Sequence, residues 1–475
     1  MPASFQDSPL VPEAAVALAK SGKRLPFGFG PRFFVGLLLG LAWLVPAWRF
    51  REFLLAMLLW DVLLLAAWLW DLLRLPAPRQ IEVSRIWDVR PSLGARSRVR
   101  IAIRNSGRVA IRASIVDETP LSLRSTPAEV EIVARPTASG AALARTAEAD
   151  YPILPGQRGD ARLGRTFVRY QSGLRLAERW AVAETSQVVR VLPNLEEARR
   201  NVLYLIRSRQ VEMEKRRRRQ RGIGREFETL REYREGDEAR DICWTATARR
   251  NHLVTRLFQM ERSQTVWLVL DAGRLLRSQV IDPAQPLRFS KLDYAVNAAL
   301  SIAHVAMHCG DRVGLLAYGR GIQKNVAAAR GPQHIHAMVE ALAQVHAESS
   351  EPDHARAARS LLTKQKRRSL IIWITDFAET ATTPEVIDYA LQMTPRHLVV
   401  FAAMAQPDLK ALAAAIPDSK ADLFRHAAAL EICQRRDLLL RSLRQRGVLA
   451  LELMPGAMAA SLVNQYLDIK DRSLL

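Results

Sequence analysis

Cysteine is scarce in this 475-residue chain. Cys243, Cys309 and Cys433 are the three present, and none forms a Cys-x-x-Cys pair. Three thiols make no disulfide framework and no zinc ribbon, which points the bulk of the chain to a reducing compartment. Acidic residues are also short, 48 against 69 basic, for a formal net charge of +21. No Gly-x-Ser-x-Gly elbow appears, and Gly222 and Gly224 lack the third glycine of a dinucleotide loop. With 25% charged and 49% hydrophobic residues the chain reads as folded, long enough for two or three domains.

Long apolar runs are confined to one region. Residues 32–48, RFFVGLLLGLAWLVPAW, and 53–73, FLLAMLLWDVLLLAAWLWDLL, are joined by Arg49 to Glu52. Each approaches the roughly 20 residues that cross a bilayer, and Trp43, Trp48, Trp68 and Trp70 suit its interfaces. This pattern predicts a transmembrane helical hairpin over 32–74 behind an N-terminal tail, 1–31. Lys20, Lys23, Arg24 and Arg32 precede the hairpin and Arg74, Arg79 and Arg85 follow it, while the loop has Arg49 and Arg51 offset by Glu52. The positive-inside rule then predicts a two-pass anchor with both ends and the main domains cytoplasmic. Asp61, mid-span, is expected to be tolerated or to face another subunit.

From 80 to 195 the pattern shifts to period two. In RSRVRIAIRNSG, Val99, Ile101 and Ile103 take one side and Arg98, Arg100, Ala102 and Arg104 the other. Further runs at 129–134 and 186–193, bounded by turn formers, predict a β-sandwich-like domain. A basic helical linker, 196–225, follows. Its run Lys215, Arg216, Arg217, Arg218, Arg219 is a solvated linker or a lipid-facing cluster near an anionic leaflet. Without aromatic interleaving, nucleic acid is not expected there.

Residues 224–250 read GREFETLREYREGDEARDICWTATARR. Closely spaced arginines and carboxylates predict an ion-pair network. Gly236 before Asp237 suits a tight turn, and Phe227, Leu230, Tyr233, Ile242 and Trp244 offer apolar anchors for docking on a core. Beyond it, apolar strands at 265–270, 313–318, 369–375, 398–403 and 448–453 alternate with amphipathic helices such as 291–308 and 421–446. That alternation predicts a mostly parallel sheet covered on both faces, with Asp271 and Asp376 at the strand ends where ligand sites collect. His304 and His308 share a helix face but have no carboxylate partner on it.

Phe227, Arg231, Tyr233, Gly236, Asp237, Arg240, Trp244 and Arg249 carry a resemblance to the bacterial DUF58 family, with Cys243 where an aspartate is common. The sequences GDRVGLLAYG at 310–319 and MPGAMAASLVNQYLDIK at 454–470 add to it. The resemblance implies a degenerate von Willebrand factor A-like domain over 226–475 and a MoxR-type AAA+ ATPase as partner. It further implies a metal site at Asp271 and Asp376 that has lost its hydroxyls: Gly273 and Leu275 stand where serines are usual, and Gly331-Pro332-Gln333-His334 where a threonine is. Mg²⁺ prefers six oxygens, so it is expected to bind weakly or not at all, and no cofactor is expected. The resulting expectation is a non-enzymatic adaptor at the bacterial inner membrane, coupling the ATPase to assembly of a client complex. The signature would serve as a structural clasp or a partner contact. A metal-dependent hydrolase using Asp271 and Asp376 is the enzymatic alternative. Polybasic binding of anionic lipid or nucleic acid is the third reading.

Overall fold

In the computed structural model the described residues are 12–22, 26–123, 128–136, 146–194, 226–233, 242–259, 264–280, 287–377 and 383–472. They fall into two compact units, Met1–Asn194 and Leu195–Leu475.

The first unit begins with β1 (Ala15–Ser21) and β2 (Phe27–Phe29), so residues expected as a tail contribute strands. Helices α1 (Pro31–Leu41), α2 (Leu44–Ala47) and α3 (Glu52–Arg74) come next. Nine strands follow: β3 (Ile81–Trp87), β4 (Ser97–Asn105), β5 (Ile111–Asp117), β6 (Glu129–Ala134), β7 (Ala147–Ile153), β8 (Gly159–Leu163), β9 (Thr166–Gln171), β10 (Ala177–Ala183) and β11 (Gln187–Val191). The order β6-β5-β9-β10-β1-β3-β4-β7 is antiparallel, and β1 turns its corner. Its first half, from Ala15, pairs with β3, and its second half, from Ala19, pairs with β10. The alternation in β4 buries Val99, Ile101 and Ile103 completely. Ala102, on the arginine side, is buried as well.

The two apolar segments form helices that pack on each other, and the first is interrupted. The first breaks after Leu41 because Pro46 has no N–H to donate and its ring clashes with the carbonyl of Ala42, four residues earlier. Among the described residues one helix, α3, is long and apolar enough to cross a membrane. At 1.5 Å per residue it is about 34 Å long, against a hydrocarbon core of about 30 Å. Helix α1 packs on it through glycines. A Cβ on Gly36 would lie 2.8 Å from Leu64, and one on Gly40 would lie 2.7 Å from Trp60 and 3.2 Å from Asp61. Close backbone approach at a small-xxx-small pair is the usual device for packing helices in lipid. Asp61 thus faces α1 within the chain.

The junction of α3 with the strands is polar and buried. Asp71 accepts from Ser172 Oγ at 2.5 Å, Leu176 N at 3.1 Å and Ala177 N at 3.0 Å. Arg179 donates to the Leu72 carbonyl at 3.0 Å, capping the helix end.

In the second unit β12 (Glu226–Glu232) pairs antiparallel with β13 (Val254–Gln259), and α4 (Trp244–Arg250) lies between them in sequence. Then come β14 (Thr265–Asp271), the two-residue ladder β15 (Gln279–Val280) and β16 (Phe289–Ser290), α5 (Lys291–His308), β17 (Arg312–Tyr318), β18 (Ile322–Ala329), α6 (Pro332–Ala343) and α7 (His354–Lys364). The chain continues through β19 (Leu370–Thr375), α8 (Thr383–Met393), β20 (Leu398–Met404), α9 (Pro407–Ala414), α10 (Lys420–Gln445), β21 (Leu449–Leu453) and α11 (Met458–Asp471). The sheet order is β18-β17-β14-β19-β20-β21, parallel except for edge strand β18. This is the doubly wound order 3-2-1-4-5-6, whose switch point lies between the first and fourth strands, here β14 and β19. Buried apolar runs such as Val266–Leu270 and Leu370–Ile374 agree with helices on both faces.

Candidate functional site

The switch point brings together the two carboxylates singled out from sequence. Asp271 ends β14 and Asp376 follows β19, both buried. Thr375 Oγ1 donates to Asp271 Oδ2 at 2.6 Å, and Gly273 N donates to Oδ1 at 2.7 Å. Burial pushes the Asp271 carboxyl up to about 7, against the lowering effect of these two bonds.

Asp376 is held by cations from two distant elements. Lys291, the first residue of α5, places Nζ 2.6 Å from Oδ2. Arg436 of α10 donates from Nη1 to Oδ1 at 3.0 Å, and Gln406 Nε2 donates to Oδ2 at 3.1 Å. Arg436 also donates to the carbonyls of Phe377 and Met404, and its guanidinium stacks on the Phe377 ring. Ser290 caps α5 by accepting from Asp293 N, which fixes the helix start that carries Lys291. A cavity of about 280 Å³ beside this cluster is lined by Gln406, Leu409, Lys410, Cys433, Arg436 and Glu452.

A divalent cation does not fit this donor set. A Cβ on Gly273 would lie 2.5 Å from Pro352 Cδ, so the space for a serine side chain is filled by proline. Leu275 adds no oxygen. Lys291 and Arg436 already bring two positive charges to Asp376. Among the described residues no group of three or more His, Cys, Asp or Glu side chains is arranged to hold a metal.

Next to Asp271 runs a neutral chain of hydrogen bonds. Trp373 Nε1 donates to Tyr318 OH at 2.7 Å, and Tyr318 OH lies 2.8 Å from His354 Nδ1. Burial holds His354 down to about 4, so its ring is neutral. Tyr318 is raised for the same reason.

The signature motif is dispersed around β12, α4 and β13. Phe227 and Arg231 lie on β12 opposite Phe258 and Thr255. Tyr233 N donates to the Leu253 carbonyl at 2.9 Å, and Cys243 N to the Val254 carbonyl at 2.7 Å. Trp244, expected as a buried anchor, is 65% exposed at the head of α4, and Arg249 is exposed as well. Helix α4 lies along β13 with Cys243 buried beneath its start, and that leaves the indole outside. Gly236, Asp237 and Arg240, and the basic run Lys215 to Arg219, lie outside the described residues.

Sequence reasoning named Asp271 and Asp376 but missed Lys291, Gln406 and Arg436. A signal for Arg436 exists. It shares a helical face with the buried Ala429, Leu440 and Leu443, a spacing that puts a guanidinium into an apolar stripe.

Residues 229–419 match the family described as protein of unknown function DUF58, a stretch that holds most of the signature, both carboxylates, Lys291 and Gln406. An uncharacterized protein of Mycobacterium tuberculosis is 31% identical over 158 residues, 33% of this chain and 48% of that protein. The uncharacterized protein YeaD of Bacillus subtilis is 29% identical over 143 residues, 30% of this chain and 31% of that protein. The chain therefore spans about half or less of the curated relatives it matches. Among solved structures, the hypothetical protein BatB of Bacteroides thetaiotaomicron shows 11% identity and a TM-score of 0.27 over 44% of this chain and 100% of that one. The SpRpn10 VWA domain shows 9% identity and a TM-score of 0.26 over 43% of this chain and 95% of that one.

Proposed function

We propose that the chain is a membrane-anchored, non-enzymatic adaptor that works with a MoxR-type AAA+ ATPase in assembling or maturing a client complex. The observation that carries this reading is the exposed Trp244. A tryptophan left in solvent within the densest motif of the chain has the character of an interface anchor, where large aromatics supply much of the binding energy. The strand-end chemistry supports the non-enzymatic part, since Asp376 is neutralised internally and both oxygens of Asp271 are engaged. The order of the six-stranded sheet supports a von Willebrand A-like assignment with its metal site lost. Helix α3 exposes a run of leucines on the faces turned away from α1, which supports an anchor in a bacterial inner membrane. The choice of ATPase rests on the motif resemblance.

The test is a pull-down from detergent-solubilised native cells with tagged full-length chain beside Trp244→Ala, partners being identified by mass spectrometry. An AAA+ ATPase recovered by the wild type and depleted at least severalfold with the variant is the expected result. Equal recovery by both removes Trp244 from the contact. No ATPase with either overturns the reading.

A further inference from the structure

The turn between β9 and β10 is pinned to both helix ends at the base of α1 and α3. Gly30 N donates to the Leu176 carbonyl at 2.7 Å, and Arg32 N to the Arg175 carbonyl at 3.3 Å. Asp71, in the last turn of α3, holds Ser172, Leu176 and Ala177. Arg175 sits at φ +56°, a left-handed conformation that costs an L-residue energy and that glycine would adopt freely. The turn nonetheless carries a long cation there and an apolar residue, Leu174, 43% exposed at its tip. Arg32 Nη1 lies 3.5 Å from the Leu174 carbonyl, which ties the turn to the first residues of α1. Arg74, exposed at the end of α3, stacks over Trp70 with its guanidinium 4.4 Å from the ring. Among the described residues none of Arg32, Arg74 and Arg175 has a carboxylate partner.

If α3 spans a bilayer, these groups stand where its hydrocarbon ends, because Arg74 is the last residue of the helix. We infer that the turn Ser172–Leu176, with the helix ends it grips, is a rim that binds anionic phospholipid headgroups. Leu174 enters the interfacial layer, and Arg32, Arg74 and Arg175 meet lipid phosphates. The one carboxylate at this level, Asp71, is buried and occupied by the turn's own Ser172, Leu176 and Ala177, so the three cations match a negatively charged leaflet, and each is worth about fivefold in affinity. The inference rests on the membrane-anchor reading and adds a contact site on the sandwich itself.

Full-length chain carrying Leu174→p-benzoylphenylalanine is reconstituted into nanodiscs of phosphatidylcholine, with or without phosphatidylglycerol, and irradiated. A parallel chain carries the same photoprobe at Leu58, on the exposed face of α3. Adducts are identified by mass spectrometry. The expected result is lipid adducts at both positions, with phosphatidylglycerol enriched severalfold over its mole fraction at position 174 only, and that enrichment lost with Arg74→Ala plus Arg175→Gly. Since glycine relieves the left-handed strain, Arg175→Gly should keep or raise the melting temperature in detergent, which separates lost headgroup binding from misfolding. Adducts at 58 but not at 174 overturn the rim and leave the span standing. Adducts at 174 without headgroup preference overturn it equally. No lipid adduct at either position overturns the span itself.

Discussion

The Lys291 ammonium lies 2.6 Å from Asp376 Oδ2, at the point of the parallel sheet where a carboxylate would be offered to a divalent cation. With Arg436 on the other oxygen, the two charges serve as tethered counter-ions for Asp376.

The melting temperature of the EDTA-treated chain should therefore not respond to millimolar Mg²⁺ or Mn²⁺ in differential scanning fluorimetry. Arg436→Met should destabilise by about 3–5 kcal/mol, because it strands a buried carboxylate, and Asp376→Asn in the same chain should recover part of that loss. A clear metal-dependent rise in the wild type would revive the hydrolase reading.

Asp271 sets a pH dependence. Its folded-state carboxyl titrates near 7, above the ordinary value of 3.8. The stability it lends is therefore whole below about pH 4 and is lost as pH rises through about 7. Asp271→Asn has no proton to release. Its amide oxygen can accept from Gly273 N and its NH₂ can donate to Thr375, so it should match the wild type near pH 4. At pH 8 it should exceed the wild type by an amount on the order of a few kcal/mol. Urea unfolding at both pH values measures this, and a gap that does not grow with pH contradicts it.

Asp71→Ala would leave the N–H groups of Leu176 and Ala177 without their acceptor, at a cost of about 1–3 kcal/mol for each that stays buried. Limited proteolysis in detergent should show new cleavage within 172–177. A digestion pattern identical to wild type would mean that Asp71 contributes nothing to holding the turn.

Gly40→Val would drive a side chain into Trp60 and Asp61. The melting temperature in detergent should fall by several degrees, whereas Leu38→Val, on the exposed side of α1, should change it little. Equal effects would mean that α1 does not pack on α3 through its glycines.

Much of the second unit was legible because its signals are local. Residues 291–308 form a helix with the predicted bounds, since Ser290 caps it and apolar residues recur at its period. The apolar strands shift by a residue at most, and their order puts Asp271 and Asp376 at the switch point, as their positions after apolar runs suggested. The partners of Asp376 were hidden by distance, Lys291 lying 85 residues and Arg436 60 residues away. Helix packing, not any pattern near Asp376, brings them in. The break in the first apolar segment was written in Pro46, but hydropathy averaged over the segment conceals one proline. The strands β1 and β2 escaped notice because Ala15–Ser21 alternates weakly and its partners are non-local. Trp244 looked like a core anchor by type, and only the placement of α4 shows it outside.

The pairing of Ala19 with Ala183 gives the antiparallel sheet of the first unit an order of events during synthesis. At 5–20 residues per second β1 is made about 8–30 s before β10, its partner about 160 residues later. The apolar helices between them are complete once Arg74 has been added, about 110 residues before Ala183, so for most of that interval they are finished while the sheet is still open at its first strand. A nascent chain halted before Ala183 would therefore carry its helices with β1 still lacking its β10 partner.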